Sequence, residues 1–156
     1  MATDVSKVTE KTAGPTVRQY SIFLQNRVGA LLEVVRLLND NDVHVLALNS
    51  QDSTDSAIVR IVVSDPDAVE DLFDVHEIAY SISEILVVEM NEVAIDLRRM
   101  LQTLLMAEVN IQVCYPILIR PHGRSALALH LDDHECGWSA LVGERFRILS
   151  QSDLSR

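Results

Sequence analysis

The chain contains 156 residues, of which 48% are hydrophobic and 23% are charged, so we expect a packed core rather than disorder. Its formal net charge of −10 repels phosphate backbones and anionic lipid, which argues against nucleic acid and membrane as partners. No apolar stretch approaches the roughly 20 residues that span a bilayer, and the 2 cysteines are too few for a disulfide framework. Residues 1–16 are polar and predict a flexible tail rather than a signal peptide. Together these features predict a soluble cytoplasmic protein.

The first half of the chain alternates between strand and helix patterns. Alternating apolar residues predict a first strand at 20–24, and a loop at 26–29 follows it. The next apolar residues have the spacing of one helix face: Leu31, Val34, Val35 and Leu38. Two strands, a short helix that Asp65 and Pro66 open, and a fourth strand then follow at 43–47, 56–63, 65–73 and 78–82. The predicted order is βαββαβ.

The second half repeats this order. A strand at 85–90 and a loop at 91–94 precede a helical quartet that matches the first one position by position: Leu97, Met100, Leu101 and Leu104. A hairpin turn at 121–124 leads to a strand at 125–131, a helix with Trp138, Leu141 and Val142 inward, and a strand at 147–150. A repeat of this length indicates duplication. We therefore predict modules at 17–84 and 85–154, with the boundary near Ser83 and no linker.

A short motif adds a family resemblance to this pattern. Residues 21–35 read SIFLQNRVGALLEVV and place Asn-x-x-Gly-Ala-Leu between the first strand and the first helix. This arrangement resembles amino-acid-sensing ACT domains, and in particular the opening of the acetolactate synthase regulatory subunit. The resemblance covers residues 17–84 well and residues 85–154 more weakly.

The resemblance implies an α+β fold of two tandem ferredoxin-like ACT modules, the second of them degenerate. Each would have a four-stranded antiparallel sheet, in the order 3-1-2-4 or the family's equivalent, with two helices on one face. It also implies a regulatory protein without catalytic activity, which binds a small amino-acid effector at an interface between modules. The partner would be the catalytic subunit of a biosynthetic enzyme, unless the regulator stands alone. Exposed sheet edges and apolar faces further predict a homodimer with C2 symmetry.

The family's effector site lies in the loop after the first strand and in the second strand. The matching positions in this chain are Asn26, Arg27, Val28, Gly29, Ala30 and Leu31, together with Asn49 and Ser50. Free N–H groups at a helix N-terminus favour a carboxylate, and Gly29 lets it approach the backbone closely. Val28 and Leu31 are apolar and suit an aliphatic effector side chain.

An alternative is that Asn26 only caps the helix and Gly29 only relieves strain. Many family members have proline at the position of Val28. The second copy has Ala94 in place of the glycine and adds Glu92, which repels a carboxylate and could itself satisfy the helix dipole. One functional site per chain is therefore expected.

Other chemically suggestive residues predict no catalytic, cofactor or metal site. His130, His134 and Cys136 are possible zinc ligands, but no second cluster accompanies them, so we interpret Asp132 or Asp133 as a helix cap beside solvated histidines. The remaining candidates have structural interpretations: Cys114 as a small hydrophobe, Asp52 and Asp55 as turn formers, and Arg98 and Arg99 on the solvent side of a helix. A structural oligomerisation module that binds no small ligand stays the main alternative. A divergent enzyme on the same fold lacks an acid–base pair.

Overall fold

The computed structural model describes residues 15–25, 29–52 and 54–155. Most of the predicted tail, residues 1–14, lies outside this part of the chain. The strands are β1 (Val17–Gln25), β2 (Val45–Asp52), β3 (Ser56–Val63), β4 (Tyr80–Met90), β5 (Ile111–Pro116), β6 (Ser125–Leu131) and β7 (Ile148–Leu149). The α-helices are α1 (Ala30–Asp40), α2 (Pro66–Val75), α3 (Val93–Met106), α4 (His134–Gly143) and α5 (Gln151–Leu154). None of the described helices is long and apolar enough to cross a bilayer.

One seven-stranded sheet runs through both modules in the order β2-β3-β1-β4-β6-β5, with β7 beside β4. All of its pairings are antiparallel. Within each module the spatial order is therefore 2-3-1-4, the arrangement of the ferredoxin-like fold. The literal order 3-1-2-4 is wrong, because consecutive strands 2 and 3 pair directly and leave no room for strand 1 between them.

The strand β4 belongs to both modules. Its residues 80–85 pair with β1, and its residues 86–90 pair with β6. The fourth strand of the first module thus continues as the first strand of the second without a turn.

The helices cover one face of each half-sheet, as predicted. In the first module Tyr20 and Ile22 of β1 pack with Val34 of α1 and Phe73 of α2. The second module repeats this packing: Met100 and Leu104 of α3 and Leu141 of α4 pack on the sheet residues Leu86, Val88 and Leu129. We call the opposite face of each half-sheet its inner face. The two inner faces enclose a further core: Val17, Leu46, Ala47, Val62, Ile85, Val87, Tyr115, Ile117, Ala126, Ala128, Leu149 and Leu154.

The space between the inner faces is closed along one side and at one end. The outermost strands meet where Ala47 bridges to Ile117 and the Leu118 amide donates to the Leu46 carbonyl at 2.8 Å. The helix α5 covers the end near the start of β1, where Gln151 Nε2 donates to the Val63 carbonyl at 2.9 Å. Its Leu154 is only 1% exposed.

The helix α3 departs from the predicted quartet. Met100 and Leu104 are buried, but Leu97 and Leu101 are 37% and 45% exposed, so the position-by-position match is wrong for these two. The reason is the register of the helix, whose buried residues are Asp96, Met100 and Leu104. Arg99 is not on the solvent side either, because its guanidinium carbon lies 4.0 Å from the centre of the Phe146 ring.

The end of the second module is also shorter than predicted. The last strand covers Ile148–Leu149 only, because Ser150 forms a capping box with Asp153 and starts α5. The predicted turn before the strand at 125–131 is present: a 3₁₀ turn at Pro121–Gly123 lies in the connection between the antiparallel pair β5 and β6. Cys114 is exposed rather than packed as a small hydrophobe, and Val142, predicted inward, is 40% exposed.

Candidate functional site

The predicted effector loop leads into α1. Asn26, Arg27 and Val28 lie outside the described residues. Gly29 is exposed and has a φ of 88°, a left-handed conformation that favours glycine. Its carbonyl accepts the first helical hydrogen bond, from the Glu33 amide at 3.0 Å.

The next two predicted residues belong to the helix itself. Ala30 is 8% exposed and starts the buried side of α1, which continues with Val34 and Leu38. Leu31 is half-buried and packs against the same core. The described part of this predicted site is therefore an exposed glycine followed by apolar helix residues.

The second module carries a carboxylate at the position of Ala30. The buried residues of α3 are Asp96, Met100 and Leu104, in the same spacing as Ala30, Val34 and Leu38 of α1. Asp96 Oδ2 accepts the amides of Asn91 at 2.8 Å and Glu92 at 3.1 Å. The amide donors that precede α3 thus already hold a carboxylate.

This role belongs to Asp96 and not to Glu92, which is exposed and makes no side-chain cap. Burial by itself raises the pKa of Asp96, but hydrogen bonds from the amides of Glu92 and Asn91, and from Arg99, outweigh it and lower the pKa below its ordinary value. Asp96 is therefore a bound carboxylate near neutral pH. Val93 and Ala94, predicted as loop, lie in the first turn of α3.

The two predicted residues of β2 lie on opposite faces of the sheet. Ser50 is exposed and pairs with Val59, which belongs to the core beneath α1 and α2. Asn49 pairs with Arg60, and Arg60 Nη1 donates to its Oδ1 at 3.4 Å. Ser50 therefore shares a face with α1, whereas Asn49 belongs to the inner face.

Asn49 is one end of a polar row that crosses the inner face of the first module. Its cross-strand neighbours are, in order, Arg60 of β3, Ser21 of β1 and Ser81 of β4. A cleft of about 330 Å³ opens here between the modules. We call it the inter-module cleft; it is lined by Ser21, Phe23, Ile58, Arg60, Ser81, Ser83, Gln112, Val113 and His130.

A buried hydrogen bond joins the modules one row deeper. Tyr115 Oη donates to Gln19 Oε1 at 2.6 Å, and both residues are buried. Burial raises the pKa of Tyr115, so its hydroxyl stays protonated. Gln19 pairs across the sheet with Ser83 of the cleft, and its Nε2 has no partner within the described residues.

His130 belongs to this cleft rather than to a metal site. It is half-buried, so the interpretation of a solvated side chain is wrong for it. Burial, together with the charges of Arg60 and His134, lowers its pKa, and the imidazole is therefore neutral near pH 7. Asp133 caps α4 as predicted, by accepting the Cys136 amide at 3.0 Å. No group of three His, Cys, Asp or Glu within residues 15–25, 29–52 and 54–155 is arranged to hold a metal ion.

The sequence-based site included Asn49 but missed Arg60, Ser21 and Ser81. Arg60 left a signal, since it is a single cation within the apolar strand SAIVRIVV. The alternation of strands would also have placed Ser21 on the face opposite Tyr20 and Ile22. The wall that faces these residues comes from β5 and β6, and no local pattern indicates it.

The comparisons with known proteins agree with this fold. The family described as ACT domain pair matches residues 15–156. No curated protein sequence matches this chain. Among solved structures, protein BT0572 from Bacteroides thetaiotaomicron is similar at a TM-score of 0.82 and 25% identity, over 90% of this chain and 96% of that chain.

Two further structures share the fold at lower identity. The regulatory subunit of aspartate kinase from Thermus thermophilus has a TM-score of 0.57 at 12% identity, over 82% of this chain and 91% of that chain. The regulatory subunit from Thermus flavus has a TM-score of 0.55 at 14% identity, over 83% of this chain and 92% of that chain. The family match covers all of the described residues and agrees with the duplicated βαββαβ order, so the chain belongs to the ACT domain pair family.

Proposed function

We propose that this protein senses a small amino acid and regulates an enzyme of amino-acid metabolism. The observation that carries the proposal is the difference between Asp96 and Ala30. In the second module a side-chain carboxylate accepts the amides before the helix, whereas the first module has a methyl group at that position. The carboxylate of a free amino acid would take the equivalent place before α1, where the helix N-terminus favours an anion.

The residues around Gly29 suit the rest of such an effector. Apart from its chain neighbours, no atom of the described residues lies within 4 Å of the position that a Cβ of Gly29 would occupy, so this part of the chain leaves a ligand room beside the backbone. In the proposal, the Asn26 side chain accepts from the α-ammonium group. Val28 and Leu31 would contact an aliphatic side chain, with Arg27, Ala30 and Ser50 completing the site. Asn49 faces the other side of the sheet, so it would not touch the effector and could affect the site only by positioning β2.

A thermal-shift screen of the twenty amino acids tests this function. An effector that binds only the folded protein should stabilise it by about 2.7 kcal/mol at a hundredfold excess over its dissociation constant. Gly29→Leu should abolish this shift, since it fills the ligand space and strains a residue at φ 88°. The control variant Ala94→Leu should keep the shift, because Ala94 is exposed on α3 in the other module, away from the proposed site.

A second variant distinguishes the loss of a ligand site from the backbone strain that a side chain at position 29 would cause. Ala30→Asp gives the first module the carboxylate that Asp96 supplies in the second, and should therefore compete with the effector and remove the shift. Circular dichroism must show that Ala30→Asp, whose site is 8% exposed, still folds. Undiminished binding by folded Ala30→Asp would place the effector elsewhere, and no shift with any amino acid would refute the sensing function.

The partner in this proposal is the cytoplasmic catalytic subunit of a biosynthetic enzyme. The resemblance of residues 21–35 makes acetolactate synthase the first one to test, by adding this protein and valine to its catalytic subunit and measuring inhibition.

The competing function is a structural module that holds subunits together without a small ligand. It is favoured by exposed leucines along α3: Leu97, Leu101 and Leu105. That function predicts assembly without any amino-acid-dependent stabilisation.

A further inference from the structure

We propose that the inter-module cleft is a second ligand site, which binds a small organic acid by its carboxylate at Arg60. The group next to that carboxylate would be a hydroxyl or carbonyl rather than an ammonium. This site lies on the inner face, opposite the face that carries α1, so it goes beyond the proposed amino-acid site and does not depend on it.

Arg60 is the cation that the carboxylate needs. Within the described residues its guanidinium bonds only neutral oxygens, Asn49 Oδ1 at 3.4 Å and Gln51 Oε1 at 3.2 Å. By contrast, Arg18 is paired with Glu70 at 2.7 Å, in a chain whose net charge is −10. The two amide oxygens orient the guanidinium and leave its charge uncompensated. A planar guanidinium with free N–H groups suits the two oxygens of a carboxylate.

The described residues that line the cleft otherwise supply hydrogen-bond donors and include no acidic side chain. Three hydroxyls line it, from Ser21, Ser81 and Ser83. These groups can donate to the carbonyl or hydroxyl oxygen of an acid. An α-ammonium here would find no carboxylate to compensate its loss of water, which disfavours a zwitterion.

The rest of the cleft favours a small, partly apolar molecule. Phe23, Ile58 and Val113 offer apolar contacts, and the neutral imidazole of His130 adds a hydrogen-bonding group without a second charge. The volume of about 330 Å³ is at the small end of the usual range for ligand pockets.

A matched set of ligands tests the charge at the second carbon: valine, 2-hydroxyisovalerate and 2-oxoisovalerate. By titration calorimetry, the hydroxy acid or the oxo acid should bind the wild-type protein. Arg60→Gln should weaken that binding at least tenfold, as expected for a lost charged hydrogen bond. Arg60→Lys should restore part of it. The control Arg98→Gln, on the exposed side of α3, should leave it unchanged.

A spectroscopic measurement checks the location without a variant. The NMR resonances of the His130 ring should shift when the oxo acid or hydroxy acid is added, and those of the exposed His44 should not. Failure of both acids to bind, equal binding by folded Arg60→Gln, or valine as the only ligand lost in Arg60→Gln would each overturn the inference. If the acids bind but none of the twenty amino acids stabilises the protein, the proposed sensing function is refuted, whereas the inference about the cleft stands.

Discussion

Tyr115 and Gln19 form a buried side-chain hydrogen bond between the two modules, with their oxygens 2.6 Å apart. Tyr115→Phe removes the hydroxyl that donates to Gln19 Oε1. The buried amide of Gln19 then loses this bond too, after its Nε2, which has no partner among the described residues. We expect the variant to lose about 1–3 kcal/mol of unfolding free energy in urea. The matched variant Tyr80→Phe, whose hydroxyl donates to Asp74 at the surface, should change the unfolding free energy much less. Equal losses would mean that the buried hydrogen bond stabilises the fold no more than the exposed one does.

Sequence reasoning at this scale succeeds where the pattern is local. Asp133 was predicted as one of two candidate helix caps, and its side chain does accept the Cys136 amide. The hydrogen bond that the Asn91 amide donates to Asp96 was not predicted, because α3 begins at Val93 whereas the predicted loop extended to residue 94. The pairing of Gln19 with Tyr115 spans 96 positions and depends on how the modules pack, which periodicity does not contain.

The helix α4 contains two glycines with opposite surroundings. A Cβ at Gly137 would collide with Leu131 Cδ1, in a core where Leu131 is 4% exposed, whereas a Cβ at Gly143 would meet nothing within 4 Å. Gly137→Ala should therefore destabilise the protein by about 1–3 kcal/mol through overpacking. Gly143→Ala should stabilise it by up to about 1 kcal/mol, through lower backbone entropy in the unfolded chain. Thermal unfolding of the two variants checks this, and a stable Gly137→Ala would show that β6 and α4 can separate.

At the scale of elements, the sequence predicts the βαββαβ order but not each helix face. The spacing of Leu97 and Leu101 fits a buried stripe as well as that of Met100 and Leu104, because both pairs are four residues apart. Only the contacts with β4 and β6 select Met100 and Leu104. The short helix α5 was missed because Ser150 continued the alternating pattern of the strand before it.

At the scale of the whole molecule, an apolar stripe along α3 is exposed in the part of the chain that the structure describes. Leu97, Leu101 and Leu105 follow one another at four-residue spacing along α3, and Leu105 is 75% exposed. We expect two copies to pack these stripes together about a two-fold axis, with Leu101 nearest the axis. Light scattering at micromolar concentration should give a dimer for the wild type and a monomer for Leu101→Glu. The control Leu32→Glu, on the exposed side of α1, should stay dimeric. A monomeric wild type would contradict the prediction.

The duplicated architecture was predictable because each copy repeats the same periodicities in the same order. The way in which the copies pack together was not predictable, because the bridge between Ala47 and Ile117 and the hydrogen bond from Gln151 to Val63 join residues far apart in the sequence. The inter-module cleft exists only because of that closure. Its polar row belongs to the first module, and the opposite wall belongs to the second.

The continuous strand β4 also limits how this gene segment can evolve. Because residues 80–85 serve one copy and residues 86–90 the other, a recombination break between the copies would cut a strand that pairs on both sides of the break. Neither copy can be exchanged for a foreign one without rebuilding the centre of the sheet. We therefore expect the two copies to be exchanged only as one unit, although single positions can still differ between them, as Ala30 of α1 and Asp96 of α3 do.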